Sequence, residues 1–175
     1  MNWIYKSNRN NTARFVLGEY NNTNEKTLIC VGVNPSTATP NNLDRTLQKV
    51  KLIARKHNYI NWIMINVYPQ RATNPNNLHI NCNKYLHKIN TIEIQKILMA
   101  FRNADILFAY GNLISKRPYL RACLKRILNV IKSGNINGKL FCIKLTVKGN
   151  PVHPLYQKCD ADFMQYKNLL GNANI

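Results

Sequence analysis

Acidic side chains are scarce in this 175-residue sequence: 7 Asp+Glu stand against 25 Lys+Arg, a formal net charge of +18. That balance excludes an acidic-surface protein, and 45% hydrophobic residues exclude a disordered, solvating chain. Cysteines stand at 30, 82, 123, 142 and 159, with no Cys-x-x-Cys pair and an odd total of 5. The spacing matches no four-cysteine zinc or iron–sulfur site, so no metal is expected. It fits unpaired thiols in a reducing compartment. The longest apolar runs, such as Trp62 to Ile65 and Ile106 to Tyr110, fall far short of a membrane span. The opening Met1-Asn2-Trp3-Ile4-Tyr5-Lys6 lacks the apolar stretch of an export signal, so a cytoplasmic protein with no membrane partner is expected. Gly-x-Gly-x-x-Gly and the phosphate-binding Gly-x-x-x-x-Gly-Lys loop are absent. There is no internal repeat and no interdomain linker, and the length suits one domain over residues 1–175.

What the chain has in quantity is 28 Asn, 18 Ile and 16 Lys, together about a third of it. These residue types have A/T-rich codons, so a biased genome is a second source of the positive charge. The charge suits a polyanionic partner such as nucleic acid but does not by itself establish one. The Asn-rich stretches at 8–11, 21–24 and 74–77 read as surface loops.

Periodicity organises the rest. Ala13 to Leu17 reads as a short leading strand, and Thr27 to Val33 as an unbroken apolar strand ending at Asn34-Pro35. Asn42 is placed to cap a helix whose apolar face is Leu43, Leu47, Val50 and Ala54. Trp62 to Val67 is a second apolar run, and Thr91 to Phe101 a helix. Asp105 to Tyr110 is a third run, closed by Gly111. Pro118 to Ile131 is a helix with proline in its first turn and Gly134 just past its end. Leu140 to Leu145 is a fourth run, and Asp162 to Leu170 a closing helix, with Asp160 and Asp162 at its start. Strands alternating with helices predict an α/β fold: a three-layer α/β/α sandwich around a central, mostly parallel four-stranded sheet.

In such sheets ligands collect at the carboxyl ends of the strands. Past the first main strand stand Asn34, Pro35, Ser36 and Thr37, and at or past the second Asn66, Tyr68, Arg71 and Thr73. Past the third come Gly111, Asn112, Lys116 and Arg117, and past the fourth Lys148, Gly149, Asn150, His153, Pro154, Leu155 and Tyr156. Each has an ordinary explanation taken singly: Asn-Pro is a common turn, and a lone loop histidine is usually solvated. Asn66 on an apolar strand needs hydrogen-bond partners. Together the strand ends predict a rim rich in amide, hydroxyl, imidazole and positive charge, and nearly free of carboxylate. Such a rim suits binding a polyanion and stabilising a negative leaving group.

Gly32-Val33-Asn34-Pro35-Ser36 resembles the first motif of the uracil-DNA glycosylase superfamily in its Gly-x-Asn-Pro-Gly/Ser form. Ile63-Met64-Ile65-Asn66 is similar to that family's second strand, Leu107-Phe108-Ala109-Tyr110-Gly111 to its third, and His153-Pro154-Leu155-Tyr156 to a shortened second motif. Asn34-Pro35-Ser36-Thr37-Ala38, Arg71-Ala72-Thr73 and His153-Pro154-Leu155-Tyr156 also resemble a bacterial family called domain of unknown function 1643, a name that carries no chemistry. The glycosylase resemblance implies a DNA repair hydrolase that flips uracil, or a related damaged base, out of DNA and hydrolyses its N-glycosidic bond. It implies Asn34 and His153 as catalytic residues, and Asn66, Tyr68, Gly32 and Val33 around the base. Ser36, Thr37, Arg71, Lys116, Arg117 and Lys148 would contact DNA, with Leu155 or Tyr156 as the wedge. It needs no cofactor and implies a monomer whose partner is uracil-containing DNA, single- or double-stranded. Because an amide is a poor general base, slow chemistry is expected. The family places an aromatic residue about a dozen positions past its first motif. Residues 38–58 contain no Phe, Tyr or Trp, which leaves Tyr68 or Tyr110 to stack on the base.

Arg117, Arg121 and Lys125 form one basic stripe and Lys49, Lys51, Arg55 and Lys56 another cluster, each equally readable as a solvated helix face. Two other readings stay open: a catalytically attenuated DNA-binding module of the same fold, and a different enzyme acting on a free nucleotide or modified base.

Overall fold

A computed structural model describes residues 1–134 and 136–166. Among the described residues seven strands form one sheet: β1 (Asn2–Ser7), β2 (Arg14–Tyr20), β3 (Thr27–Gly32), β4 (Asn61–Asn66), β5 (Asp105–Phe108), β6 (Leu140–Cys142) and β7 (Met164–Gln165). The same described residues hold the α-helices α1 (Arg45–Lys56), α2 (Lys84–Ala100) and α3 (Pro118–Ser133). The strand order is β1-β2-β4-β3-β5-β6-β7. β4, β3, β5 and β6 pair in parallel, while β1–β2, β2–β4 and β6–β7 pair antiparallel.

The chain is therefore mixed α/β, but a mostly parallel sheet of four strands is not what forms. Seven strands are present, with antiparallel pairings on both flanks. β1 escapes the sequence pattern because it is a half-exposed edge strand without clean alternation. β7 has only two residues and occupies part of the expected closing helix. Asp160 and Asp162 lie in no helix, and residues 167–170 of that expected helix fall outside the described residues.

Alternation of side chains builds two cores. Ile29, Val31, Ile63, Ile65, Ile106 and Phe108 face one side with the buried stripes of α2 and α3. Leu28, Cys30, Trp62, Met64 and Leu107 face the other with Leu47, Val50, Ile53 and Ala54 of α1. The three central strands are thus covered on both faces, which is why they read as unbroken apolar runs. Asp44, not Asn42, caps α1, accepting from Leu47 N at 2.9 Å. Asn42 instead pairs with Thr39 in a preceding turn. Pro118 opens α3 and Gly134 closes it. One buried polar cluster staples β2, β4 and α1. Glu19 accepts from Trp62 Nε1 at 3.0 Å and pairs with Lys51 at 2.6 Å.

All five cysteines are free. Among the described residues no helix is long and apolar enough to cross a membrane, and no three metal-ligating side chains cluster.

Candidate functional site: a small polar cavity at the strand ends

The parallel register puts Gly32 beside Asn66 at the carboxyl ends of β3 and β4. Val67 N then donates to Gly32 O at 2.9 Å and Tyr68 N to Val33 O at 2.8 Å, so the ladder runs past both strands and fixes the rim. A cavity of about 60 Å³ opens there. Gly32, Val33, Asn34, Asn66, Tyr110 and His153 line it, as do Ser36, Arg14, Asp44 and Thr46.

Asn66 is the anomaly of the site. It is 0% exposed, and among the described residues neither Oδ1 nor Nδ2 has a partner. Its backbone carbonyl is held by Asn90 Nδ2 at 2.9 Å, so the strand end is fixed while the side-chain amide is idle. A buried amide left unpaired is costly, and such costs persist where function uses the group. Both a donor and an acceptor are thus presented, pre-oriented, to whatever occupies the cavity. Gly32 makes room for this: a Cβ there would stand 3.1 Å from Asn66 Oδ1 and 2.5 Å from Met64 Cε.

Asn34 is poised differently. Its Nδ2 donates to Ala72 O at 2.8 Å and Pro35 O at 3.0 Å, pinning the 71–73 segment over the first turn past β3. Both amide hydrogens are committed, so only its carbonyl oxygen is left for a water or ligand. His153 caps the short 3₁₀ turn Pro154–Tyr156, and its Nδ1 accepts from Leu155 N at 3.3 Å. That bond places the neutral ring's proton on Nε2, as a donor. Burial pushes the His153 pKa down, partly opposed by Asp44, so the neutral form is favoured. Tyr110 is 3% exposed and forms one wall. Burial and its bond to Tyr166 raise its pKa well above the ordinary tyrosine value.

The remaining expected residues scatter. Tyr68 is not at the cavity. It is fully buried on the α2/α3 side, its hydroxyl bonded to His79 Nδ1 at 2.7 Å and accepting from Asn83 N at 2.9 Å. The aromatic wall is Tyr110 instead. Arg71 spends its guanidinium on Ser36 O, Ala38 O at 3.1 Å and Tyr5 Oη at 3.0 Å, which makes it a strut for the loop past β3. It shares a shallow groove with Ser36, Thr37 and Thr73. Arg117 holds the carbonyls of Asn76, Leu78 and His79, so it too is a loop strut rather than a free phosphate ligand. Lys116 is exposed and outside the cavity lining. Lys148 lines a separate groove of about 520 Å³ with Arg121, Lys125 and Lys132, which meets the cavity at Tyr110. Leu155 is half-buried, and Tyr156 projects at 82% exposure beside His153. In the second basic cluster, Lys51 is paired with Glu19 and Lys49 Nζ lies 3.5 Å from Cys159 Sγ.

Three polar lining residues are not foreseen from the sequence: Arg14, Asp44 and Thr46. Arg14 reaches the cavity from the antiparallel strand β2, and Asp44 and Thr46 from the start of α1, where no strand-end pattern points. The rim is accordingly not free of carboxylate, because Asp44 stands in it. Its capping role in α1 was the available signal, hidden by Asn42 two residues earlier.

A polar cavity at the carboxyl ends of parallel strands is where ligands generally collect in α/β sheets. More particularly, the chain belongs to the family described as Protein of unknown function (DUF1643), which it matches over residues 14–155. The match spans every cavity-lining residue from Arg14 to His153. No curated protein matches the chain, and no solved structure does.

Proposed function

We propose that this protein is a base-excising DNA glycosylase whose substrate is uracil or a related damaged pyrimidine. The observation that carries the reading is the idle amide of Asn66, buried and facing the same cavity as Asn34 and His153.

In this reading the target nucleotide leaves the base stack, since its glycosidic bond cannot be reached inside it. Asn66 Nδ2 donates to uracil O4 and Oδ1 accepts from N3–H. Cytosine presents the opposite pattern at both atoms, so a fixed amide rejects it. The free space of about 60 Å³ is tight, so the rim opens as the base arrives. The C1′–N1 bond breaks with its electron pair leaving on the base, and the sugar becomes oxocarbenium-like. His153 Nε2–H donates to O2 as negative charge gathers there. A water held by Asn34 Oδ1 adds its hydroxyl to C1′, and its proton passes through solvent to the released base. Asp44 is the one carboxylate of the lining among the described residues and favours the cationic sugar electrostatically. The phosphate backbone follows Ser36 and Thr37 on one side and the groove of Arg121, Lys125 and Lys148 on the other, with Tyr156 projecting toward the gap left by the base.

The test is single-turnover formation of alkali-labile abasic sites in an oligonucleotide carrying one uracil. Abasic product from the wild type, lost in Asn34→Ala and His153→Ala, is expected. Tight, salt-sensitive DNA binding without product would make the protein an attenuated binding module. Neither product nor binding would leave an enzyme acting on a free nucleotide.

A further inference from the structure

The proposed chemistry gives no part to the most unusual charge in the cavity. Arg14 is 1% exposed, yet among the described residues the ion pairs are Lys51–Glu19 and Lys96–Glu93, neither of which involves it. Its Nη1 donates to Ala38 O over a long 3.3 Å, and its Nε has no partner among the described residues. The neighbouring Arg71 shares an unpartnered Nε among the described residues, but both its terminal nitrogens are engaged, by Ser36, Ala38 and Tyr5. Burial, then repulsion from Arg71, lowers the Arg14 pKa to about 10, against weaker support from Asp44 and Tyr5, so the group is still cationic at neutral pH. Buried charges in folded proteins are normally paired. This one is buried, cationic, incompletely bonded and part of the wall that also holds Asn66.

A second observation points the same way. The 12-residue helix α1 begins at this wall, with Thr46 and Leu47 in the lining, so the positive end of its dipole adds to the guanidinium. Asp44 opposes both, but it spends Oδ1 on the cap to Leu47 N and is only half-buried. His153 is held toward its neutral form.

We infer that Arg14 makes this cavity select a ligand bearing negative charge on the group beside Asn66, and that this ligand is an anionic pyrimidine. The inference rests on the reading of Asn66 as the base-reading amide. It deepens that reading, because uracil is an anion at the moment its glycosidic bond has broken. A buried cation that needs no reorganisation stabilises the departing base more than the neutral base that arrives. It also widens the substrate class to damaged pyrimidines that ionise readily or carry an acidic substituent.

Equilibrium binding tests this without any catalysis. Calorimetric titration compares uracil, which is neutral at pH 7, with barbiturate, a pyrimidine ionised at that pH, and with inorganic phosphate. The wild type should bind barbiturate at least about tenfold more tightly than uracil. Arg14→Gln should abolish that preference, and Arg14→Lys should keep part of it. Equal affinity for the two pyrimidines in the wild type overturns the inference, as does a preference that survives Arg14→Gln or an absence of binding by either. Arg14-dependent binding of phosphate without barbiturate overturns the pyrimidine assignment and makes the anionic group a phosphate. The wild-type ratio alone decides the matter if Arg14→Gln does not fold. The two proposals fail separately. A protein that excises uracil but ignores ligand charge sinks only this one, and one that prefers barbiturate through Arg14 yet leaves uracil DNA intact sinks only the glycosylase reading.

Discussion

Replacing Asn66 by leucine should make the protein more stable and less active at once. Leucine has the same branched outline as asparagine, so the strand-end packing against Gly32 and Met64 is kept while both idle polar atoms disappear. A buried donor or acceptor left unpaired costs about 1–3 kcal/mol. The cavity of about 60 Å³ has room for a few waters, which recover part of that cost for the wild type. The expected net gain is therefore about 1–2 kcal/mol, near the low end of the range for two such atoms. For a domain of this size each kcal/mol moves Tm by about 2–4 °C, so a rise of a few degrees is readable by calorimetry or urea unfolding. The same substitution removes both hydrogen bonds to the base edge. Uracil excision should fall by at least about a hundredfold, since sites built to bond a polar edge depend on it strongly. A variant that is less stable than wild type by more than about 1 kcal/mol would show that the amide is a structural group, and the reasoning would fail. So would a more stable variant with unchanged excision.

Gly32→Ala should cost activity more than stability. The flexible Met64 tip can yield to the new Cβ, but Asn66 Oδ1 must shift, and a displaced base-reading amide lowers kcat/KM by about tenfold or more. An equal loss in both stability and activity would argue against positioning. Acidification should weaken the fold through His153 and His87, both lowered by burial. Their folded pKa values lie below the unfolded value of about 6.5, so the unfolded state binds more protons between the two values. Stability therefore rises with pH through that window and is lost as pH falls through it. His153→Gln should flatten part of the slope of Tm against pH below about 6.5, and an unchanged slope contradicts the assignment. Arg121→Ala and Lys125→Ala should each reduce the salt dependence of DNA binding by about one released counterion, whereas an unaltered slope would place the DNA elsewhere.

Much of the central architecture was legible in the sequence because it depends on local pattern. β3, β4 and β5 are covered on both faces and read as solid apolar runs, and α3 carries a proline start and a glycine stop. The flanking strands were not legible: β1 is a half-exposed edge strand with no regular alternation, and β7 has two residues held by pairing with β6. The same division runs through the site. Asn34, Asn66 and His153 sit where strand-end reasoning puts them, each within a residue or two of a turn or strand end. Tyr68 follows Asn66 by two residues yet turns into the α2/α3 core, since neighbours i and i+2 part company once a strand ends and the chain bends. Arg14 and Asp44 come from elements remote in sequence and are joined to the site only by tertiary packing. Arg71 and Arg117 show how a basic residue near a rim is used up by backbone carbonyls, an outcome that residue type alone does not disclose.

The most direct test of the account is the release of free base from two single-stranded oligonucleotides that differ only in carrying uracil or cytosine at one position, quantified by mass spectrometry under single-turnover conditions. The account predicts uracil released by the wild type, cytosine released at least about 10⁴-fold more slowly, and uracil release lost in Asn66→Leu. Release of both bases at similar rates, or release of uracil undiminished in Asn66→Leu, would contradict it.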